Sequence, residues 1–389
     1  MTLAYQYILW ISVGAAMFTY VIYPVLLQLL AIGKKNNDQV YNISSLPLVS
    51  ILIAAHNEEK VIEEKLKSIF EGNYPLEKIE VLIGSDYSTD KTEEIISALA
   101  VKYSNLKLTA FKTRTGKVRI INKLAELALN PILVITDANV IFDKDTLFHL
   151  VKHFKYEKIA LVDTNVLHKG LKKEGISYEE SFYIRGEVAS KYNEGLLWGT
   201  MMGPFGGCYA FRKEYFAPVP ENFLVDDFYI NMKVLEKGGW AINEVKAVVY
   251  EDVSNEIYVE FKRKIRIATG SFQNLFAFKH MLFRFNAISF CFFSHKVLRW
   301  FCPVFFFVIY MCSLLLMSHN MFYEKAFYFE SFLGTLVPMD YFLQKINIHF
   351  RPLRLLRHFF FMNLAIFIGM LKAMAGVNNS IWEPTQRNQ

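Results

Sequence analysis

The chain has 389 residues, 53% of them hydrophobic and 21% charged, with a net charge of +6. Its mean hydropathy of +0.21 is too high for an ordinary soluble protein and fits a membrane protein with a soluble part. The positive charge suits a face turned to anionic lipid and is too diffuse for nucleic acid. The cysteines, Cys208, Cys291, Cys302 and Cys312, show no zinc or disulfide spacing, and a reducing cytosol is their natural setting.

No charged side chain precedes Lys34, and residues 5–32 are apolar enough to span a bilayer. Neither a basic start nor a small-residue cleavage site is present, which argues against a signal peptide. Lys34 and Lys35 follow the span, so the positive-inside rule puts the next segment in the cytoplasm. Residues 35–45 read as a polar linker. From residue 48 to about 253 strands and helices alternate. Strands are predicted over 49–54, 80–84, 106–110 and 132–136, and helices over 59–70, 91–101 and 117–128. This alternation predicts a parallel sheet covered on both faces, an α/β doubly wound domain.

Beyond Arg284 the chain turns apolar again. Residues 300–323 carry no Asp, Glu, Lys or Arg and predict a second span, with 287–294 lying in the interface before it. Residues 326–343, which include Glu330 and Asp340, predict a weaker return span. Arg351, Arg354 and Arg357 then fall in a cytoplasmic connection. Residues 359–371 are short for a crossing and are free to cross, re-enter or lie flat. The expected organisation is an N-terminal membrane helix and linker (1–45), a cytoplasmic domain (46–283) and a C-terminal membrane region (284–389). The chain would sit in the cell (inner) membrane, multi-pass.

Chemistry gathers at strand ends, where ligands bind open α/β sheets. Asp137-Ala138-Asn139 directly follows the buried strand over 132–136. Two hard-oxygen side chains so placed suit Mg2+ or Mn2+ and the phosphates such an ion carries; they are equally good helix caps. His56 and Glu58 follow the first strand, and Asp86 the second, in a Ser/Thr-rich loop. Lys117 follows Gly116 at a helix start, where N–H groups and a cation favour a diphosphate. Phe111 stands where a Walker loop would need glycine. Asp226-Asp227 follow Gly206-Gly207; adjacent carboxylates raise one another's pKa, and glycines let a backbone approach a ligand closely. Asp226 also reads as a helix cap.

This order of motifs, over roughly residues 48–270, resembles the family 2 glycosyltransferases of membrane-bound bacterial type, with their nucleotide-sugar-binding GT-A fold. The resemblance implies an inverting, metal-dependent transfer from a nucleotide-sugar donor, most simply UDP-linked. The acceptor is lipid-linked or a growing glycan at the membrane face, and the partners include membrane lipids. It implies that Asp86 takes the base or ribose, with His56 and Glu58 flanking it. Asp137 and Asn139 match the Asp-x-Asp metal motif with one charge fewer. Asp227 is the implied general base, with Asp226, Gly206 and Gly207 beside the acceptor. Arg263 and Arg266 resemble the Gln/Arg-x-x-Arg-Trp motif, with Ile267 in place of Trp; they hold the diphosphate or face anionic lipid. A processive polysaccharide synthase coupled to export and a non-catalytic nucleotide-sugar-binding scaffold are the alternatives. Trp382-Glu383-Pro384-Thr385 resembles a tail of related membrane-bound members. Acceptor choice rests with loops around residues 196–205, where the sequence carries no readable code.

Overall fold

The computed structural model describes residues 2–169, 177–252, 257–346, 348 and 350–377. The tail motif over 382–385 lies outside the described residues. An eight-stranded sheet runs in the order β3-β2-β1-β4-β7-β6-β8-β5. The strands are β1 (Val49–Ala55), β2 (Ile79–Asp86), β3 (Leu106–Phe111), β4 (Ile132–Thr136), β5 (Ile141–Phe142), β6 (Ile159–Lys169), β7 (Cys208–Arg212) and β8 (Trp240–Asp252).

The first half is the parallel sheet the alternation predicts. β1 pairs in parallel with β2 and β4, and β2 with β3. β1, β2 and β4 are buried along their whole length, as strands covered on both faces must be. The second half departs from that expectation. β7 lies antiparallel to β4 and β6 antiparallel to β7, with β8 parallel to β6. A parallel neighbour for β4 would need a helical crossover. The chain leaves β4 through Asp137-Ala138-Asn139 instead, and a strand from far downstream returns along the open edge.

The helices are α1 (Thr2–Ala31), α2 (Ile62–Phe70), α3 (Thr92–Lys102), α4 (Lys117–Leu127), α5 (Thr146–Val151), α6 (Ser177–Trp198), α7 (Asp226–Glu236), α8 (Ile257–Phe278), α9 (Ala287–Leu316), α10 (Met321–Lys345) and α11 (Arg351–Ala375). α2 starts three residues later than predicted because residues 57–60 are engaged elsewhere. Glu59 accepts Lys91 N–H at 3.1 Å while its own N–H goes to Asp90 at 3.1 Å. The loops after β1 and β2 are thereby stitched into one rim.

One face of the sheet packs Leu52, Leu82, Leu133, Tyr209 and Phe211 against α4, α7, α8 and the start of α9. The segment 287–294 is therefore not a separate interfacial piece. It is the first turns of α9, with Cys291, Phe292 and His295 fully buried. α9 ends at Leu316, short of the predicted residue 323, because Asn320 accepts the Phe322 N–H at 2.9 Å and starts a new helix.

Among the described residues, α1, α9 and α11 are long and apolar enough to cross a membrane; α10, which contains the predicted return span, does not meet that measure. Arg354 and Arg357 are not in a connecting loop. They lie buried in α11, where Arg357 pairs with Asp340 of α10 at 3.0 Å. The α11 helix also begins earlier than the apolar stretch over 359–371, helped by Pro352 in its first turn.

Two glycines let α8 sit close to both neighbours. A Cβ on Gly369 of α11 would stand 2.5 Å from the Ala268 Cβ, and one on Gly270 would stand 2.5 Å from Val225 just ahead of α7. Gln273 and Asn274 of α8 reinforce the second contact. Gln273 accepts Leu224 N–H at 3.1 Å, and Asn274 donates to the Val225 carbonyl at 3.0 Å.

Candidate active site

The carboxyl ends of β1, β2 and β4 and the N-terminus of α7 open on one cleft. Lys117, the first residue of α4, points its ammonium at Asp137 Oδ1 at 2.8 Å and lies 3.9 Å from Asp226 Oδ1. Burial alone would lower the lysine's pKa; Asp137 and Asp226 outweigh it and hold the pKa above its ordinary value. Asp227 follows, with Oδ1 accepting the Phe228 N–H at 2.7 Å. Its carboxyl is pushed up to about 7, first by burial and then by the charge of Asp226, against the pull of Lys117. Arg266 is within electrostatic reach of Asp137, Asp226 and Asp227. The other predicted arginine, Arg263, reaches Glu260 at 3.2 Å on its own helix.

Asp226 is not the helix cap. Val225 occupies that position with no side-chain cap, and Asp226 is the first helical residue. Asp226 is 7% exposed, and its Oδ2 has no hydrogen-bond partner.

Gly206 and Gly207 lie between the candidate base and the end of β4. A Cβ on Gly206 would stand 2.5 Å from Asp227 Oδ2, so the bare backbone is what leaves that carboxylate its place. The Gly207 carbonyl accepts Asp137 N–H at 2.9 Å and the Thr136 hydroxyl at 3.0 Å, tying the glycine step to the end of β4.

Asp86 lies at the expected strand end, but its oxygens are taken. Oδ1 accepts Thr115 N–H at 2.5 Å; Oδ2 accepts Gly116 N–H at 3.1 Å and Arg114 Nε at 3.2 Å. In this structure it holds the loop before α4. His56 joins the same knot, with Nδ1 2.8 Å from the Asp86 carbonyl and Nε2 2.5 Å from Arg114. Arginine can only donate, so Nε2 accepts and Nδ1 carries the proton. Glu58 is buried, its N–H donating to Thr92 Oγ1 at 2.8 Å.

The residues present fit a divalent cation at Asp137 and Asn139. Asn139 is 6% exposed and its amide nitrogen has no partner, so a rotated amide would offer oxygen at no loss. Asp137, Asp226 and Asp227 share one field with Lys117 and Arg266, and Asp137 also feels Lys65. Among the described residues no cage of three or more His, Cys, Asp or Glu side chains exists. Further ligands would have to come from water and a bound diphosphate, as Mg2+ commonly arranges.

The sequence reading missed several polar anchors of this cleft. Asp163 in β6 accepts Phe205 N–H at 2.8 Å and pairs with buried Lys191 at 2.6 Å. Glu194 in α6 accepts Met202 N–H at 2.9 Å, Tyr23 of α1 at 2.7 Å and His295 of α9 at 2.7 Å. Lys65 in α2 donates to Thr136 Oγ1 at 2.8 Å. For Lys65 a signal existed, a lysine on the apolar face of its helix; the carboxylates gave none, because their partners are distant in sequence.

Residues 50–219 match the family described as glycosyl transferase family 2. Over 147 residues the chain is 35% identical to a beta-monoglucosyldiacylglycerol synthase of Nostoc sp., covering 37% of this chain and 30% of that protein. Over 131 residues it is 27% identical to a poly-beta-1,6-N-acetyl-D-glucosamine synthase of Staphylococcus aureus, covering 33% and 31%. The chain therefore spans about 30% of the length of these curated relatives. A mannosyltransferase of Pyrobaculum calidifontis, solved in complex with GDP-Man and Mn2+, has the same fold. The TM-score is 0.69 over 94% of this chain and 99% of that one, at 21% identity.

Proposed function

We propose that this chain, whose residues 50–219 match glycosyl transferase family 2, is an inverting, cation-assisted glycosyltransferase acting on a lipid-linked or glycan acceptor at the membrane face. One observation carries the membrane part of this reading. Phe228, next to Asp227, packs on Phe292 and Trp300 of α9 with ring centroids 5.9 and 5.5 Å apart. The residue after the candidate base thus packs on a helix long and apolar enough to cross a bilayer.

In this reading Asp227 takes the proton of the acceptor hydroxyl as that oxygen attacks the anomeric carbon. The bond to the diphosphate breaks on the opposite face, so the configuration inverts. A carboxyl poised near neutral pH suits that role. Lys117 and Arg266 bring positive charge to the diphosphate side. Asp137 and Asn139 would hold the cation, whose chemistry is to neutralise the leaving diphosphate. Residues 46–283 would form the cytoplasmic catalytic unit. A diglyceride-type acceptor is the first to try, given the name of the Nostoc relative. UDP-sugars are the first donors to try; the GDP-Man of the Pyrobaculum structure makes GDP-sugars the second.

The test is donor hydrolysis and transfer by detergent-purified full chain over a panel of UDP- and GDP-sugars, with diacylglycerol and with Mn2+, Mg2+ or chelator. Cation-dependent nucleotide release from one donor, with a glycolipid product, is the expected result. Long polymer without added acceptor would replace this reading by a processive synthase. Nucleotide binding with no turnover anywhere in the panel would replace it by a binding scaffold.

A further inference from the structure

Lys65 lies on the face of α2 that Ile62, Leu66 and Ile69 bury, and none of its side chain reaches solvent. A lysine there breaks the apolar pattern that seats this helix on the sheet, and an ammonium is costly to bury. A break in the local pattern of this kind is where a functional constraint is expected. The ammonium donates to Thr136 Oγ1 at 2.8 Å and to the Val140 carbonyl, and stands 3.7 Å from the centre of the Phe142 ring. Its two acceptors bracket Asp137-Ala138-Asn139.

The tie continues beyond the loop. The Thr136 hydroxyl, accepting from Lys65, donates onward to the Gly207 carbonyl at 3.0 Å, and that carbonyl also takes the Asp137 N–H at 2.9 Å. One residue earlier, Gly206 borders Asp227 Oδ2, 2.5 Å from where its Cβ would stand.

We propose that Lys65 is a positioning residue, which from behind the sheet edge fixes the Asp137-Ala138-Asn139 loop for a divalent cation and, through Thr136 and Gly207, the glycine step beside the Asp227 carboxylate. The proposal rests on the reading of Asp137 and Asn139 as the cation site. A lysine head suits the task because its nitrogen, protonated or neutral, carries more than one N–H donor and can serve Thr136 and Val140 together. A carbonyl and a hydroxyl facing the same buried point would otherwise leave one acceptor without a donor.

The test uses the detergent-purified full chain. Mn2+ binding is measured by calorimetry, alone and with UDP, beside the Tm. Lys65→Met keeps the unbranched stem over Phe142 and removes both hydrogen bonds. It leaves the Val140 carbonyl without its donor but relieves the burial of a polar head, two effects of opposite sign on the Tm. The expected result is a Tm that moves little, with Mn2+ binding weaker by about 10- to 100-fold, the size typical when a group supporting a metal ligand is lost. Equal Mn2+ affinity in wild type and Lys65→Met overturns the positioning role and leaves the cation site standing. A wild-type chain that binds no Mn2+, with or without UDP, overturns both. Should Lys65→Met fail to fold, Thr136→Val cuts the onward link to Gly207 with Lys65 in place. It is expected to weaken Mn2+ binding in the same direction, and unchanged binding there refutes the proposal.

Discussion

Replacing Asp227 with asparagine separates the energetic cost of the site from its chemistry. The Asp227 carboxyl is pushed up to about 7, chiefly by burial and next by Asp226, whereas an unfolded chain leaves an aspartate near about 3.9. A pKa raised by folding stabilises the protonated form. That stability is fully present below the unfolded value, declines as pH rises, and is gone above about 7. At about 1.4 kcal/mol per pH unit, this raised pKa costs the fold about 4 kcal/mol at pH 8, where the carboxylate is ionised, and about 1–2 kcal/mol at pH 5, where folding must protonate it.

Asparagine keeps the shape and the acceptor for Phe228 N–H but carries no charge. In chelator, Asp227→Asn is expected to unfold at a higher temperature than wild type at pH 8, and the gain should shrink by more than half at pH 5. Its transfer activity should fall by about 100- to 10,000-fold, the span general-base catalysis covers. The assays are thermal unfolding at the two pH values and product formation at saturating donor. Retained transfer would remove Asp227 from the mechanism. A stability gain no larger at pH 8 than at pH 5 would show that its charge is not strained by the site.

Lys117 lowers the pKa of Asp227 and Asp226 raises it. In the pH profile of kcat/KM, Lys117→Met should move the acidic limb to higher pH and Asp226→Asn to lower pH; shifts in the same direction would contradict this. Gly206→Ala places a Cβ 2.5 Å from Asp227 Oδ2, the movable end of a side chain. The Tm should hardly change while kcat drops by about 100-fold, because a small misplacement of a reacting group is expensive. Asn274→Ala removes the hydrogen bond to the Val225 carbonyl ahead of α7. Denaturant unfolding should show a loss of about 1–3 kcal/mol, as when a buried acceptor loses its donor.

The parallel half of the sheet was legible because strands covered on both faces are written as continuous apolar runs, and 132–136 is the clearest of them. The cleft was legible where chemistry follows such a run, as at Asp137 and Asn139, or where two carboxylates adjoin, as at Asp226 and Asp227. Strand direction beyond β4 was not, because pairing between β4 and β7 joins residues about 76 apart, such as Thr136 and Cys208 at the near end and Ile132 and Arg212 at the far end, with no local signal for orientation. Nor was the satisfaction of Asp86, whose partners Arg114, Thr115 and Gly116 arrive from the next βα loop. The long apolar helices were found by composition but misjudged at their ends. Hydropathy does not register that Arg354 and Arg357 bury inside a helix with Asp340 opposite.

The paired glycine contacts on α8 have a consequence for what this protein can choose. Gly369 seats α11 against one side of that helix, and Gly270 seats Val225, the residue before Asp226 and Asp227, against the other. Between the carboxylates and an apolar helix long enough for a bilayer there is only one helix diameter of tightly meshed backbone, with no linker in which to flex. With α11 in a bilayer, the cleft is held at one altitude above it. Under the proposed function it would then work as a depth gauge: an acceptor hydroxyl would be sorted first by how far it stands from the membrane plane, and only afterwards by the shape of the molecule that bears it.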